Sequence, residues 1–141
     1  MSRAPAVAQF EPLTARLGHR FRDPQLLERA LTHRSFAGEH RLPPAATNER
    51  LEFLGDAVIE LVVSHLLVAA DPEASEGDLS RRRSRLVCRE ALAAAAAELG
   101  LGEHLRLGAG ERRAGGAAEG SILAAAYEAL VGALYLDAGL E

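Results

Sequence analysis

Four carboxylates in one stretch of the sequence constrain the fold more than any other feature. Within residues 48–61 the acidic side chains are spaced by three, four and four positions: Glu49, Glu52, Asp56 and Glu60. Because a helix turns by about 100° per residue, these spacings place all four on one side of a helix. The other side is apolar, with Leu51, Leu54, Val58, Leu61 and Val62. The stretch therefore predicts an amphipathic helix from about residue 48 to residue 70.

A row of like charges at these spacings opposes helix formation, since side chains three or four residues apart repel each other. Only one basic residue, Arg50, lies within the row, and it projects elsewhere. A bound divalent cation would explain the row, because hard cations prefer carboxylate oxygens. A solvated acidic face is the alternative. Val63 and Leu67 continue the acidic side as apolar residues, which favours a face that enters the protein, and thus a site.

A further carboxylate stands near the end of the chain. The helix predicted over residues 121–137 is strongly apolar around Glu128, which shares a face with Ser121, Ala125 and Gly132. A buried Glu needs a partner, which a shared metal ion would supply; an exposed helix Glu is the alternative. Gly132 would let another backbone approach the same face.

The two helices together predict a metal site built only of oxygen ligands: Glu49, Glu52, Asp56 and Glu128. Such ligands suit Mg²⁺ or Mn²⁺. These ions serve phosphoryl transfer by activating water and stabilising the leaving oxygen. A di-iron site would need Glu-x-x-His, which the sequence lacks. Five scattered histidines without ligand spacing disfavour zinc.

The composition favours a single all-α domain, since alanine and leucine dominate and no run alternates between apolar and polar residues. The net charge of −4 excludes a domain that attracts nucleic acid through its overall charge. The single cysteine, Cys88, excludes a disulfide framework and fits a reducing cytoplasm. Residues 1–10 lack an apolar signal core, and the apolar run at residues 61–70 is too short for a bilayer. We therefore expect a cytoplasmic protein without membrane contact.

Along the chain we expect a flexible tail at residues 1–9 and one domain at residues 10–141. Signals for the start or end of a helix occur at Gly18, Asp23, Thr47 or Asn48, Ser75 and Gly100. The six glycines within residues 102–120 predict a mobile loop. The helix after Ser75 carries basic residues along one side: Arg81, Arg82, Arg85 and Arg89. This stripe would suit an RNA backbone, and a solvated face is an equal alternative.

Several segments together resemble the endonuclease domain of the ribonuclease III family. Residues 48–56, Asn-Glu-Arg-Leu-Glu-Phe-Leu-Gly-Asp, are similar to its signature. Residues 31–35 (Leu-Thr-His-Arg-Ser) resemble the family's segment upstream, and residues 76–80 (Glu-Gly-Asp-Leu-Ser) the one downstream. Residues 121–137 resemble its last helix. The resemblance covers about residues 10–141.

The resemblance implies an all-α symmetric homodimer that hydrolyses double-stranded RNA with Mg²⁺, or with Mn²⁺ in its place, leaving 5′-phosphates and short 3′ overhangs. By position, the metal ligands would be Glu52, Asp56 and Glu128. Asp56 and Glu128 would also be the catalytic residues, and Glu49 and Glu76 further acidic residues of the cleavage valley. Phe53 matches the aromatic residue that enters a socket on the dimer partner; core packing is its alternative role.

Two features depart from the family pattern. The family has Asp where this sequence has Ala125, so that one ligand position of the metal site is vacant. The chain was either altered there or is a naturally weakened member, and the intact surrounding helix favours alteration. Bacterial members usually continue into a double-stranded-RNA-binding domain, whereas this sequence stops at Glu141, so we expect a nuclease-domain fragment.

The leading hypothesis is therefore a ribonuclease III endonuclease domain for RNA processing, impaired at one ligand. A non-catalytic RNA-binding or scaffold protein with the same dimeric fold is the runner-up. An unrelated helical metal-binding protein is the third reading, and the resemblance of several segments argues against it.

Overall fold

The computed structural model describes residues 9–141, so that the predicted tail lies almost entirely outside the described residues. The helices are α1 (Glu11–Leu17), α2 (Pro24–Ala30), α3 (Arg34–Glu39), α4 (Glu49–Ala70), α5 (Glu76–Val87), α6 (Arg89–Glu98), α7 (Leu101–His104), α8 (Ala109–Arg113) and α9 (Gly120–Ala138). Short 3₁₀ turns lie at Pro44–Ala46 and Gly116–Ala118. Within the described residues the only strand-like feature is a bridge between Thr32 and Arg106. The prediction of an all-α fold is confirmed.

The two longest helices, α4 and α9, cross in direct backbone contact. A Cβ atom added at Gly55 would lie 1.6 Å from the carbonyl oxygen of Glu128. One added at Gly132 would lie 2.3 Å from the carbonyl oxygen of Leu51. Because real Cβ atoms do not approach that closely, both positions require glycine. The predicted approach of another backbone at Gly132 is confirmed, and the partner is the acidic helix.

The core surrounds α9 on several sides. Its largest fully buried side chains include Leu13, Leu31, Leu101 and Leu130. A smaller cluster joins Ala30, Leu51, Ala129 and Ala133 at the contact with α4, and a third joins Ile59, Leu92 and Ala124. The many alanines of α9 leave room for neighbouring helices to pack closely. The last helix is thus the central element of the domain.

Most predicted helix ends are observed. Gly18 ends α1 with a left-handed φ of 67°, the Asp23 carboxylate accepts the N–H of Gln25, and the Ser75 hydroxyl accepts the N–H of Asp78. At the start of α4 the position before the helix is Asn48, whose side chain makes no capping hydrogen bond. The hydroxyl of Thr47 instead accepts the N–H of Glu49 at 3.4 Å. The helix that Asp23 begins ends at Ala30, and α3 begins separately at Arg34.

The prediction of a loop over residues 102–120 is wrong. This segment contains α8 and a 3₁₀ turn, and it buries Leu105 and Leu107 in the main core. The backbone of Arg106 donates to Leu31 and accepts from His33, at 2.8 and 3.0 Å. The glycine count concealed the leucine anchors, which are two residues apart as in a strand but too few to predict one.

The apolar side of α4 is only partly covered. Leu51 and Ile59 are buried, whereas Leu61, Leu66 and Val68 are exposed. By length and composition, α4 and α9 are also apolar enough to cross a membrane, a property that core helices of soluble proteins share. The expectation of no membrane contact considered the run at residues 61–70 alone, and it stays a prediction. Within residues 9–141 nothing covers this apolar face.

Candidate metal and nucleic-acid site

The crossing of α4 and α9 brings three of the predicted carboxylates together. Glu128 projects from α9 at the point where its own backbone meets Gly55, and Glu52 and Asp56 flank that point on α4. Burial raises the pKa of Glu128 to about 7, and the charge of Asp56, a hydrogen bond to Asp56 and the charge of Glu52 act in the same direction. The charges of both α4 carboxylates therefore act on the pKa of Glu128, which is possible only if the three side chains lie close together.

Glu52 shows the same effect from the other helix. Its pKa is raised by burial first, and then by the negative charges of Glu49 and Asp56. The fold thus holds these negative charges close together against their repulsion. Such a group is a typical binding site for a cation, since a cation would remove the repulsion.

A cleft of about 570 Å³ opens beside this group. Its lining includes two of the α4 carboxylates, Glu49 and Glu52, and the methyl group of Ala125 from α9. Ala125 is half-buried and brings no polar atom beyond its backbone. Ala125, the position predicted to be a vacant ligand, therefore lies on the wall of the acidic cleft.

Other predicted site residues lie elsewhere. Glu60 is exposed further along α4, and Glu76 is exposed at the start of α5; neither lines the cleft. The predicted arginine stripe is exposed but does not lie on one helix, because α5 ends at Val87 and Arg89 begins α6. Two of the arginines on α5 face carboxylates: Arg82 pairs with Asp71 at 3.0 Å, and Arg81 with Asp78. These pairs fit a solvated face and leave the RNA contact a prediction.

The structure also adds cleft residues that sequence reasoning missed. His33 and Arg34 form one wall, and Glu111 and Glu119 contribute further carboxylates. The two glutamates lie within or beside the segment that was predicted to be a loop, so nothing indicated their position. His33 lies in a segment that carried the resemblance, and that was its only signal.

Phe53 stands beside the acidic face and is 83% exposed. A groove of about 650 Å³ adjoins it, lined mainly by Leu51, Leu54 and Leu136 together with Arg29 and Arg50. Core packing within the chain is therefore not the role of Phe53. An exposed aromatic side chain next to an apolar groove is typical of a protein–protein contact.

The oxygen donors at the crossing suit a hard divalent cation, but they do not form a closed cage. No group of three or more His, Cys, Asp or Glu side chains within residues 9–141 is arranged to hold a metal ion as it stands. Mg²⁺ usually keeps several waters and takes only one or two protein carboxylates. The residues present therefore fit Mg²⁺ with waters completing its shell, and an ion that needs many protein ligands fits poorly.

Known proteins resemble this chain over nearly its whole length. Residues 23–141 match the Ribonuclease-III-like family. Ribonuclease 3 from Pseudomonas fluorescens is 54% identical over 129 residues, which make up 92% of this chain and 53% of that protein. Ribonuclease 3 from Bacillus licheniformis is 48% identical over 133 residues, 94% of this chain and 53% of that protein.

Solved structures show the same similarity. The nuclease domain of ribonuclease III from Campylobacter jejuni has a TM-score of 0.86 and 42% identity, covering 93% of this chain and 87% of that one. Dicer from Pichia stipitis has a TM-score of 0.64 and 30% identity, covering 87% of this chain and 50% of that one. The chain spans about half the length of the Ribonuclease 3 proteins that it matches.

Proposed function

The chain belongs to the ribonuclease-III-like family, and we propose that it is an endonuclease domain that hydrolyses phosphodiester bonds of double-stranded RNA with a divalent cation. The observation that carries this proposal is the group of Glu52, Asp56 and Glu128, which the crossing at Gly55 holds together despite their repulsion. We take the cation to be Mg²⁺, with Mn²⁺ as an alternative. RNA processing in the cytoplasm is the setting that we propose.

Each residue would have a distinct task. Glu52 and Asp56 would hold the cation from α4, and Glu128 from α9. When bound, the ion would polarise the scissile phosphate and lower the pKa of an attacking water. Glu128 holds a proton near neutral pH while no cation is present, since its pKa is raised to about 7. Glu49 and Glu76 would extend the acidic surface along which the RNA lies.

Ala125 would weaken this activity. Few carboxylates hold a Mg²⁺ ion in such a site. When one of them is missing, the site has one negative charge and one ligand fewer. The remaining acidic residues gain some relief from repulsion, so that folding should be unaffected. We propose that the chain folds normally, binds Mg²⁺ weakly and cleaves double-stranded RNA very slowly or not at all.

Cleavage by the Ala125→Asp variant tests the proposal. We expect the variant to cleave double-stranded RNA with Mg²⁺ at least about a hundredfold faster than the unchanged chain, as loss of a directly acting group typically costs this much. Ala125→Asn is the matched control, because it adds a side chain of the same size without the charge. An Ala125→Asp protein that stays inert with ample Mg²⁺ or Mn²⁺ would overturn the vacant-ligand explanation.

A homodimer would cover the exposed apolar surface. The nuclease domain from Campylobacter jejuni has a region involved in dimer formation. We propose that Phe53 of each protomer enters the groove beside Phe53 on its partner, since a two-fold axis brings the same patch of both subunits together. Phe53→Ser should yield monomers in sedimentation, with Leu42→Ser, an exposed apolar residue outside the groove, as the control.

A non-catalytic RNA-binding or scaffold protein is the second candidate. The observation in its favour is Ala125, which leaves the cleft without one carboxylate. Such a protein would bind double-stranded RNA without cleaving it, even after Ala125→Asp. The same cleavage assay, paired with a binding assay, therefore separates the two functions.

A further inference from the structure

His33 lies on the wall of the acidic cleft, and neither the carboxylate group nor the core uses its side chain. Its backbone is fixed, because the N–H of His33 donates to the carbonyl of Arg106 at 3.0 Å in the bridge next to Thr32. Its ring is fixed as well. Nδ1 lies 3.1 Å from the backbone nitrogen of Ser35 and 2.7 Å from the Ser35 hydroxyl, which itself accepts the N–H of Gly108.

These contacts determine where the ring carries its proton. A backbone N–H can only donate, so Nδ1 of His33 must accept from Ser35. In the neutral ring the proton therefore lies on Nε2. Protonation of Nδ1 would break the contact with the Ser35 N–H, so the fold holds one tautomer in one orientation.

The Nε2–H group faces solvent in the cleft. Within residues 9–141 no hydrogen-bond partner approaches Nε2, and no buried side-chain nitrogen or oxygen lacks a partner. Nε2 is therefore accessible to water. Since His33 lines the acidic cleft, the accessible donor belongs to that cleft.

The ring stays neutral near pH 7. Burial is the main cause of a lowered pKa for His33; the charges of Glu111 and Glu49 oppose it, and Arg34 supports it. A neutral donor can point into an acidic cleft without forming an ion pair with its carboxylates. Next to it, the exposed Arg34 lines the same wall and has no ion-pair partner within the described residues.

We propose that His33 and Arg34 together bind a backbone phosphate of the RNA, with the Nε2–H of His33 as the directed donor and Arg34 as the charge. This proposal rests on the proposed function and names a substrate contact for the same cleft. It places one strand against the part of the cleft that His33 and Arg34 line. It also explains why a fixed neutral donor and a free cation occur side by side in a cleft that is otherwise acidic.

His33→Asn and His33→Gln test the directed donor. Asn keeps an acceptor for the N–H of Ser35 and is a good residue at the start of a helix, but it is too short to replace Nε2–H. Gln carries an amide N–H about as far out as Nε2. In the Ala125→Asp background we expect His33→Asn to lower kcat/KM on double-stranded RNA about tenfold, mainly through KM. His33→Gln should recover most of the loss.

The salt dependence of RNA binding separates the two residues. For the unchanged chain at low salt, Arg34→Gln should reduce the slope of log K against log salt by about 0.9, because one phosphate contact is lost. His33→Asn should weaken binding about tenfold with the slope unchanged, since the ring is neutral. Arg20→Gln, an exposed arginine outside the cleft lining, is the matched control and should change neither the RNA affinity nor the salt slope.

The outcomes distinguish this proposal from the one on which it rests. If Ala125→Asp cleaves and His33→Asn cleaves equally well, the nuclease assignment stands and the His33 contact is overturned. If His33→Asn and His33→Gln lose activity and thermal stability together, His33 is only structural, and the contact is again overturned. If Ala125→Asp is inert and the unchanged chain does not bind double-stranded RNA, both proposals fall.

Discussion

The last helix carries two buried or half-buried carboxylates that the fold treats in opposite ways. At its end, Asp137 is satisfied: its side chain is 3% exposed and accepts from the N–H groups of Arg22 and Asp23 and from the ring of His19. Burial alone would raise its pKa, but these hydrogen bonds outweigh burial and lower it. Nine residues earlier, Glu128 meets two further carboxylates, and its pKa is raised to about 7.

The difference separates a structural carboxylate, Asp137, from Glu128, for which we propose a function. Asp137 fastens the segment before α2 to the end of α9, and its ionised form stabilises the fold. Glu128 and its neighbours destabilise the fold when ionised, and they are kept together only by the rigid crossing at Gly55 and Gly132. A group that costs stability in the free protein is expected where a ligand will compensate. The same helix thus supplies an anchor at one end and, near its middle, the carboxylate of the proposed metal site.

Gly55→Ala should produce the largest effect on stability, because it disrupts the helix crossing that holds the carboxylates around Glu128. The contacts of Asp137 are left unchanged. The added methyl group would overlap the carbonyl of Glu128, so that α4 and α9 must move apart. We expect a loss of about 3 kcal/mol or more in the free energy of unfolding, measured by urea denaturation. Gly38→Ala, where a Cβ meets nothing within 4 Å, is the control and should be neutral or slightly stabilising.

A smaller loss of unfolding free energy for Gly55→Ala would show that α4 and α9 can separate with little loss of stability. The carboxylate group would then depend on something other than the crossing for its geometry. The pKa of Glu128 distinguishes these cases, since separated helices would return it towards its usual value of 4.5.

The sequence predicted the carboxylates of the proposed site better than the structural anchor at Asp137. Periodicity alone identified Glu49, Glu52 and Asp56 as one face, because repulsive charges on an amphipathic helix are unusual. Glu128 was singled out as a lone carboxylate in an apolar helix. Nothing local marks Asp137, whose partners lie more than 110 positions away in the chain. Such partners are known only once the tertiary fold is known.

The loop prediction for the glycine-rich residues 102–120 was wrong for a related reason. Its glycines predict turns, and several of them do lie at turns, such as Gly115 with a φ of 88°. The anchoring of Leu105 and Leu107 and the bridge at Arg106 depend on α2 and the residue after it. Long-range contacts of this kind decide whether a segment is ordered, and they leave no periodic pattern.

Asp137→Asn should give the second largest effect, because it breaks the anchor. An amide can accept only part of what the carboxylate accepts, and its NH₂ group faces other donors. We expect a loss of about 1–3 kcal/mol at neutral pH. Asp71→Asn, which removes a half-exposed partner of Arg82, is the matched control and should cost no more than about 1 kcal/mol.

The pH dependence of Asp137→Asn follows from the lowered pKa of Asp137. The unfolded chain binds the proton at a higher pH than the folded chain, so the ionised anchor contributes its full stability above the usual pKa of 3.8. That contribution is lost as the pH falls through the lowered folded pKa. The difference in unfolding free energy between the unchanged chain and the variant should therefore shrink in acid. A difference that stays constant down to strongly acidic pH would mean that the carboxylate charge plays no part.

Glu128→Gln should give the smallest change, and of opposite sign. The folded chain holds the Glu128 proton up to about pH 7, whereas the unfolded chain releases it near 4.5. Between these values the folded state binds more protons, so the free energy of unfolding falls as the pH rises and levels off above about 7. Gln removes this decline.

Because Glu128 is half-buried and solvent screens its charge, we expect the variant to gain no more than about 1 kcal/mol over the unchanged chain between pH 5 and pH 8. Glu60→Gln, which removes an exposed carboxylate from the acidic face of α4 outside the cleft, should leave the pH profile as it is. Adding Mg²⁺ at pH 8 should then stabilise the unchanged chain and leave the Glu128→Gln variant nearly unaffected, since only the native carboxylate group gains from the ion. Parallel stability profiles for the unchanged chain and Glu128→Gln would contradict the contrast between Glu128 and Asp137.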